Sequence, residues 1–148
     1  MSYQEKNSII SLFSSLLIFG LYCLWVFQIN PDNSGTIEGT LRYWGLVIVL
    51  MLPVQIIPRI IIQMIFTIIN WAVKKEDPPS FSDELDKIIN LKATRNSFYG
   101  FCIVFFIAMG LLALGLTVQA MFYIMFFGFM ACGIIAEISE LVYYRRGY

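Results

Sequence analysis

The sequence contains no histidine and no closely spaced cysteines, and both absences restrict what the protein can do. Without histidine, Ser-His and Cys-His catalytic pairs and histidine-ligated metal sites are excluded. Cys23, Cys102 and Cys132 are far apart and lie in apolar stretches, so no redox or zinc motif is present. We therefore expect a protein that is not an enzyme and that carries no metal and no cofactor.

Charge is also scarce, because charged residues make up only 14% of the chain. Typical soluble proteins contain about 25%. Ten basic residues balance ten acidic ones, which argues against nucleic acid as a partner, since such binding needs an excess of lysine and arginine. Apolar residues make up 59% of the chain and form long runs, so the expected partner is the lipid bilayer.

These runs predict four membrane-spanning helices, because a helix needs about 20 apolar residues to cross the hydrocarbon core. Residues 9–29 carry no charge, and residues 44–73 carry only Arg59. Residues 96–136 carry none and are long enough for two crossings, with a turn predicted near residues 115–119. We place the four spans at about residues 8–29, 43–73, 96–116 and 119–144.

The predicted fold is all-α, a polytopic four-transmembrane-helix bundle that forms a single membrane domain over residues 1–148. Lipid offers the backbone no hydrogen bonds, so each span must pair its own amides. Similar residues, Lys6-Asn7-Ser8 and Arg95-Asn96-Ser97, precede the first and third spans. They are consistent with two related helical hairpins, but also with an ordinary helix start capped by asparagine or serine.

Basic residues predict the orientation of the chain. Eight of the ten lie on one side of a four-span arrangement: Lys6, Lys74, Lys75, Lys87, Lys92, Arg95, Arg145 and Arg146. The positive-inside rule places that side in the cytoplasm. We therefore expect a multi-pass protein of the inner (cytoplasmic) membrane, with both termini and the loop of residues 74–95 in the cytoplasm. Aromatic residues of the first hairpin, Tyr22, Trp25, Tyr43 and Trp44, are expected to form a belt at the outer interface.

Polar side chains inside the spans form a candidate intramembrane cluster. The second span carries a stripe on one helix face, formed by Gln55, Arg59, Gln63, Thr67 and Asn70. The fourth span carries Glu137 and Glu140. Because an unpaired intramembrane charge is costly, we predict that Arg59 contacts Glu137, directly or through Gln63 and water. Counted from the basic residues after each span, however, Arg59 lies roughly 22 Å deep and Glu137 roughly 12 Å.

The loop of residues 74–95 is predicted to contain a short amphipathic helix that leads into the third span. Pro78 and Pro79 end the preceding helix, and acidic residues follow at the favourable N-terminal end of the next. The charged residues of this loop form a candidate interaction surface for a cytosolic partner: Asp83, Glu84, Asp86, Lys87, Lys92 and Arg95.

Residues 83–97, Asp-Glu-Leu-Asp-Lys-Ile-Ile-Asn-Leu-Lys-Ala-Thr-Arg-Asn-Ser, are followed by two apolar spans and a Tyr-Tyr-Arg-Arg-Gly ending. This region resembles a family of small uncharacterised prokaryotic four-helix membrane proteins with a D-E-x-D-K-x-I-x-x-K-A-type loop motif. The resemblance is clearest over residues 81–147. Genes of that family often neighbour small helix-turn-helix regulators, which implies a regulatory or sensing pair. Leu85 stands where members often have arginine, a difference that weakens charge-specific docking.

Two functions follow from these features. The first is a non-enzymatic inner-membrane interaction protein that senses, regulates or sequesters a cytosolic regulator. The alternative is a small transporter, channel-forming subunit or immunity-type protein, acting as a homodimer, that uses the Arg59 and Glu137 region. A third explanation applies to the polar stripe only: its side chains form hydrogen bonds that hold neighbouring helices together.

Overall fold

The structure is a computed structural model that describes residues 3–32, 35–74 and 84–146. It contains four long helices: α1 (Tyr3–Leu24), which continues into a π-helical turn (Trp25–Ile29), α2 (Ile37–Lys74), α3 (Glu84–Ala113) and α4 (Val118–Arg146). All four are long and apolar enough to cross a membrane. The described ranges contain no strand. The predicted fold class is thereby confirmed, and the chain is an all-α, multi-pass membrane protein.

Short polar segments set the ends of these helices. Thr36 and Thr117 cap the starts of α2 and α4, where their Oγ1 atoms accept hydrogen bonds from the amides of Gly39 (3.2 Å) and Ala120 (3.3 Å). Between α3 and α4 the chain reverses at Gly115, whose φ of 90° favours glycine. The Leu116 amide there donates to the Leu111 carbonyl at 3.1 Å, which is the 6→1 hydrogen bond of a Schellman cap. The turn lies where the sequence predicted it.

The helices extend beyond the predicted spans. Because α3 begins at Glu84 and runs unbroken to Ala113, the amphipathic helix predicted for the loop is the first part of α3 and not a separate helix. Asn96 and Ser97 therefore lie inside a helix, and their interpretation as capping residues is wrong. Their side chains instead bond to α4. The duplication hypothesis stays a prediction.

Packing is centred on α4, which contacts each of the other three helices. Helix α3 packs chiefly on α4, whereas α1 packs on both α2 and α4. The α3–α4 pair approaches closely at Gly128, where an added Cβ would lie 2.1 Å from Cγ1 of Val104. Small residues allow such close approach in membranes, where apolar burial does not drive helices together.

An aromatic core joins α1, α2 and α4 near the connection between α1 and α2. It includes residues that were predicted to form the outer belt. Trp44 is 1% exposed and Tyr22 is 6% exposed, so these two rings lie inside the bundle. The Tyr22 hydroxyl donates to the Val47 carbonyl at 2.7 Å, and the Trp44 ring meets that of Phe126. The belt prediction is wrong for these two residues because neighbouring helices supply ring contacts to both and a hydrogen-bond acceptor to Tyr22, although Nε1 of Trp44 is buried without a partner.

Candidate functional site

Glu137 is the centre of the candidate site and the most deeply buried charged residue that the structure describes, with 3% exposure. It lies on α4, beyond the middle of that helix. Its carboxylate receives three polar contacts within hydrogen-bond distance, from one side chain of α2 and two of α1. These contacts satisfy oxygens of the carboxylate, which offsets part of the cost of burying it away from water.

The predicted contact between Arg59 and Glu137 is confirmed, with Nη2 of Arg59 2.9 Å from Oε1 of Glu137. The depths of Arg59 and Glu137 that were counted from the sequence differed because the count for Arg59 started at the end of α2, a helix longer than a perpendicular crossing requires. Lys74 therefore does not mark the depth at which α4 ends. The Arg59 side chain keeps 39% exposure, whereas that of Glu137 keeps 3%.

The serines of α1 complete the site, and they were not predicted from the sequence. Ser11 donates from Oγ to Oε1 of Glu137 at 3.1 Å, and Ser15 donates to Oε2 at 2.8 Å. Ser8 and Ser14 are also buried. The signal was present in the sequence, because serines at spacings of three and four residues lie on one helix face. In an otherwise apolar span this pattern indicates a polar partner on another helix.

A cavity of about 170 Å³ opens beside the ion pair, between α1, α2 and α4. Its polar lining consists of Ser15, Gln55, Arg59 and Glu137, and the remaining lining residues are apolar apart from Gly133. The Nε2 atom of Gln55 is buried and has no hydrogen-bond partner. Buried polar groups are nearly always hydrogen-bonded, so this amide lacks an acceptor, as does Nε1 of Trp44 in the aromatic core.

Beyond Arg59, the predicted stripe continues along α2 and away from the ion pair. Gln63 and Thr67 line a second, more open cavity of about 370 Å³ together with Asn7 of α1. Asn70 is partly buried near the end of α2. Glu140 is partly buried one turn after Glu137, within electrostatic range of Arg59. The structure thus brings Gln55, Arg59 and Glu137 to one cavity and takes Gln63 to another.

The candidate interaction surface divides into two groups. Glu84, Lys87 and Arg95 are exposed on α3. Lys92 instead lies over the ring of Tyr143 at 5.6 Å from its centre, and Asp86 lies beside Tyr144, so both pack toward α4. Asp83 lies outside the described residues.

Hydrogen bonds join α3 to the same helix that carries Glu137. Nδ2 of Asn96 donates to Oγ of Ser139 at 3.2 Å and to the Tyr143 hydroxyl at 3.1 Å. Ser97 donates to the Cys132 carbonyl at 2.8 Å. The part of α4 that surrounds Glu137 is therefore hydrogen-bonded to α3.

The arrangement can hold a small molecule beside a neutralised ion pair. Within the described ranges, no three acidic or cysteine side chains come together to hold a metal ion. Comparison with protein-family models, with curated proteins and with solved structures gives no match.

Proposed function

We propose that the chain is a non-enzymatic protein of the inner membrane that senses a small molecule at the Arg59–Glu137 cavity and reports its presence to a cytosolic regulator. The observation that carries this proposal is the unpartnered amide of Gln55 in a cavity beside a buried ion pair. Interhelical hydrogen bonding alone accounts for the ion pair but does not require the cavity beside it.

Helix α4 is the element proposed to connect binding with output. Glu137 and Gly133 line the cavity, and Ser139 and Tyr143 bond to Asn96 within the next two turns. A bound molecule that shifts α4 would change the support of the first part of α3, where Glu84, Lys87 and Arg95 are exposed. The resemblance to proteins whose genes neighbour helix-turn-helix regulators supports a partner of that kind.

Hydrogen exchange tests this connection without knowledge of the natural ligand. Substitution of Gly133 by leucine places a side chain in the cavity, because a Cβ at Gly133 meets no atom within 4 Å. In lipid nanodiscs we expect Gly133→Leu to change amide exchange over residues 84–97 by about fivefold or more, since exchange reports local opening. Gly110→Leu is the matched control because that position on α3 is also open. Unchanged exchange over residues 84–97 in Gly133→Leu would exclude the sensing function.

The proposed orientation places both termini and the start of α3 in the cytoplasm. Its test uses a chain in which Cys23, Cys102 and Cys132 are replaced by alanine. Lys87→Cys and Thr117→Cys then mark opposite ends of the second hairpin, and both positions are exposed. A membrane-impermeant maleimide is expected to label Thr117→Cys in intact cells and Lys87→Cys only after the cells are opened. The reverse pattern would invert the orientation.

A second function, solute or ion transport by a homodimer, is favoured by the continuation of the polar stripe. Asn7, Gln63 and Thr67 line the second cavity on the side of α2 nearer Lys74, which would extend a polar path toward the cytoplasm. Proteoliposomes separate the two functions. Sensing requires no flux, whereas transport predicts a proton or cation flux that Gly133→Leu reduces.

A further inference from the structure

The cavity beside the ion pair contains a surplus of hydrogen-bond donors. The carboxylate of Glu137 is already approached by Ser11, Ser15 and Arg59. The Gln55 amide nitrogen has no acceptor. Arginine carries five N–H donors, and Nη2 of Arg59 lies 2.9 Å from Oε1 of Glu137. Nε2 of Gln55 has almost no accessible surface, so a ligand that supplies a hydrogen-bond acceptor would satisfy it once the side chain turns toward the cavity.

The charge of the site favours an acceptor that is neutral. Arg59 and Glu137 cancel at 2.9 Å, so the cavity has no uncompensated positive charge. A carboxylate or phosphate bound there would be a buried anion without a counter-ion, at a cost of several kcal/mol. A carbonyl oxygen accepts hydrogen bonds from Gln55 and Arg59 without that cost.

The size and the walls of the cavity fit one ring. A cavity of about 150 Å³ lined by apolar side chains accepts a benzene molecule, and this cavity measures about 170 Å³. Its apolar walls come from all three helices: Phe19, Met51, Ile56, Phe129 and Met130. Gly133 leaves part of the wall open because it has no side chain.

The position of the cavity points to lipid as the source of the ligand. Two of its wall residues on α2, Leu52 and Ile56, are each 53% exposed on a helix that spans the bilayer. Gln55 lies near the middle of α2, and Ser15 lies near the middle of the first span. A molecule dissolved in the hydrocarbon core therefore reaches the cavity directly, whereas lipid ester groups and aqueous solutes lie nearer the interface.

We infer that the cavity binds a neutral, lipid-dissolved molecule whose ring-sized end carries a carbonyl acceptor, held by Gln55 and Arg59 and entering from the bilayer. This inference names the ligand class of the proposed sensing site and rests on that proposed function. The molecule binds through its carbonyl oxygen, its ring packs on the apolar walls, and no covalent step is involved.

Three small probes of similar shape test the ligand class with the full chain in nanodiscs of ether-linked lipids, which contain no competing ester carbonyl. Acetophenone has the carbonyl, α-methylstyrene has a methylene in its place, and benzoate adds a charge. Binding is measured by ligand-observed NMR, and the signal from Gly133→Leu is subtracted because it represents partition into lipid. We expect acetophenone to bind about tenfold more tightly than α-methylstyrene, since only acetophenone carries an oxygen that accepts a hydrogen bond. Benzoate is expected to show no saturable binding.

The Gln55→Met variant is the matched control, because methionine keeps the length of the side chain and removes the amide. It is expected to lower the preference for acetophenone at least threefold while α-methylstyrene binds as before. Equal binding of the two neutral probes to the wild type, or tighter binding of benzoate, would overturn the ligand class. If exchange over residues 84–97 still responds to Gly133→Leu, the sensing function survives that result. If acetophenone binds as expected and the exchange does not respond, the ligand class stands and sensing fails.

Discussion

Replacement of Glu137 by glutamine is expected to cost about 3–5 kcal/mol of stability, because it removes the carboxylate that lies 2.9 Å from Arg59 inside the membrane. Glutamine has nearly the same shape, so the loss reports charge and not volume. Glutamine keeps one acceptor oxygen, so one of Ser11 and Ser15 still donates to an oxygen, and the other meets the amide NH2, from which its Oγ can accept. The measurement is the free energy of unfolding in mixed micelles with increasing denaturing detergent.

The double variant Arg59→Met with Glu137→Gln provides the decisive comparison. It removes both charges, so its stability is expected to lie at least about 2 kcal/mol above that of Glu137→Gln alone. Glu38→Gln is the control, since Glu38 is exposed in the first turn of α2 and its loss is expected to cost under about 0.5 kcal/mol. If the double variant is no more stable than Glu137→Gln, the uncompensated charge of Arg59 is not the cause of the loss of stability.

Replacement of Gly128 by alanine is expected to cost about 1–3 kcal/mol, because the added methyl group overlaps Val104. The new Cβ would lie 2.1 Å from one γ-carbon of Val104 and 3.1 Å from its Cβ. Valine is stiff at χ1, so it moves aside poorly and α3 must separate from α4. Unfolding in mixed micelles measures the loss.

A compensating change checks that this overlap is the cause. Val104→Ala together with Gly128→Ala is expected to recover at least half of the loss, because the truncated side chain leaves room for the new methyl group. Gly110→Ala, on the same hairpin, meets no atom within 4 Å and is expected to be neutral or slightly stabilising. Failure of the double variant to recover stability would place the damage elsewhere than at the Val104 contact.

The candidate site was only partly predictable. Arg59 and Glu137 stood out because charges in apolar runs are costly, and the need to pair them predicted their contact. The serines of α1 were passed over because serine carries no charge and is common in membrane helices. The cavity was not predictable at all, since it depends on how three helices fail to fill the space around Gly133.

The sequence by itself determined that the chain crosses a membrane as four helices and where the last two reverse. The physical reason is that lipid offers no hydrogen bonds, so length and hydropathy suffice to define a helical span. Only the tertiary structure decided which faces meet. Spans that are apolar on every side carry little periodic pattern to indicate an inner face, so Tyr22 and Trp44 were assigned to the interface although they form the core. Which faces meet is determined by contacts between particular residues. Examples are the contact of Gly128 with Val104 and the hydrogen bonds of the α1 serines to Glu137.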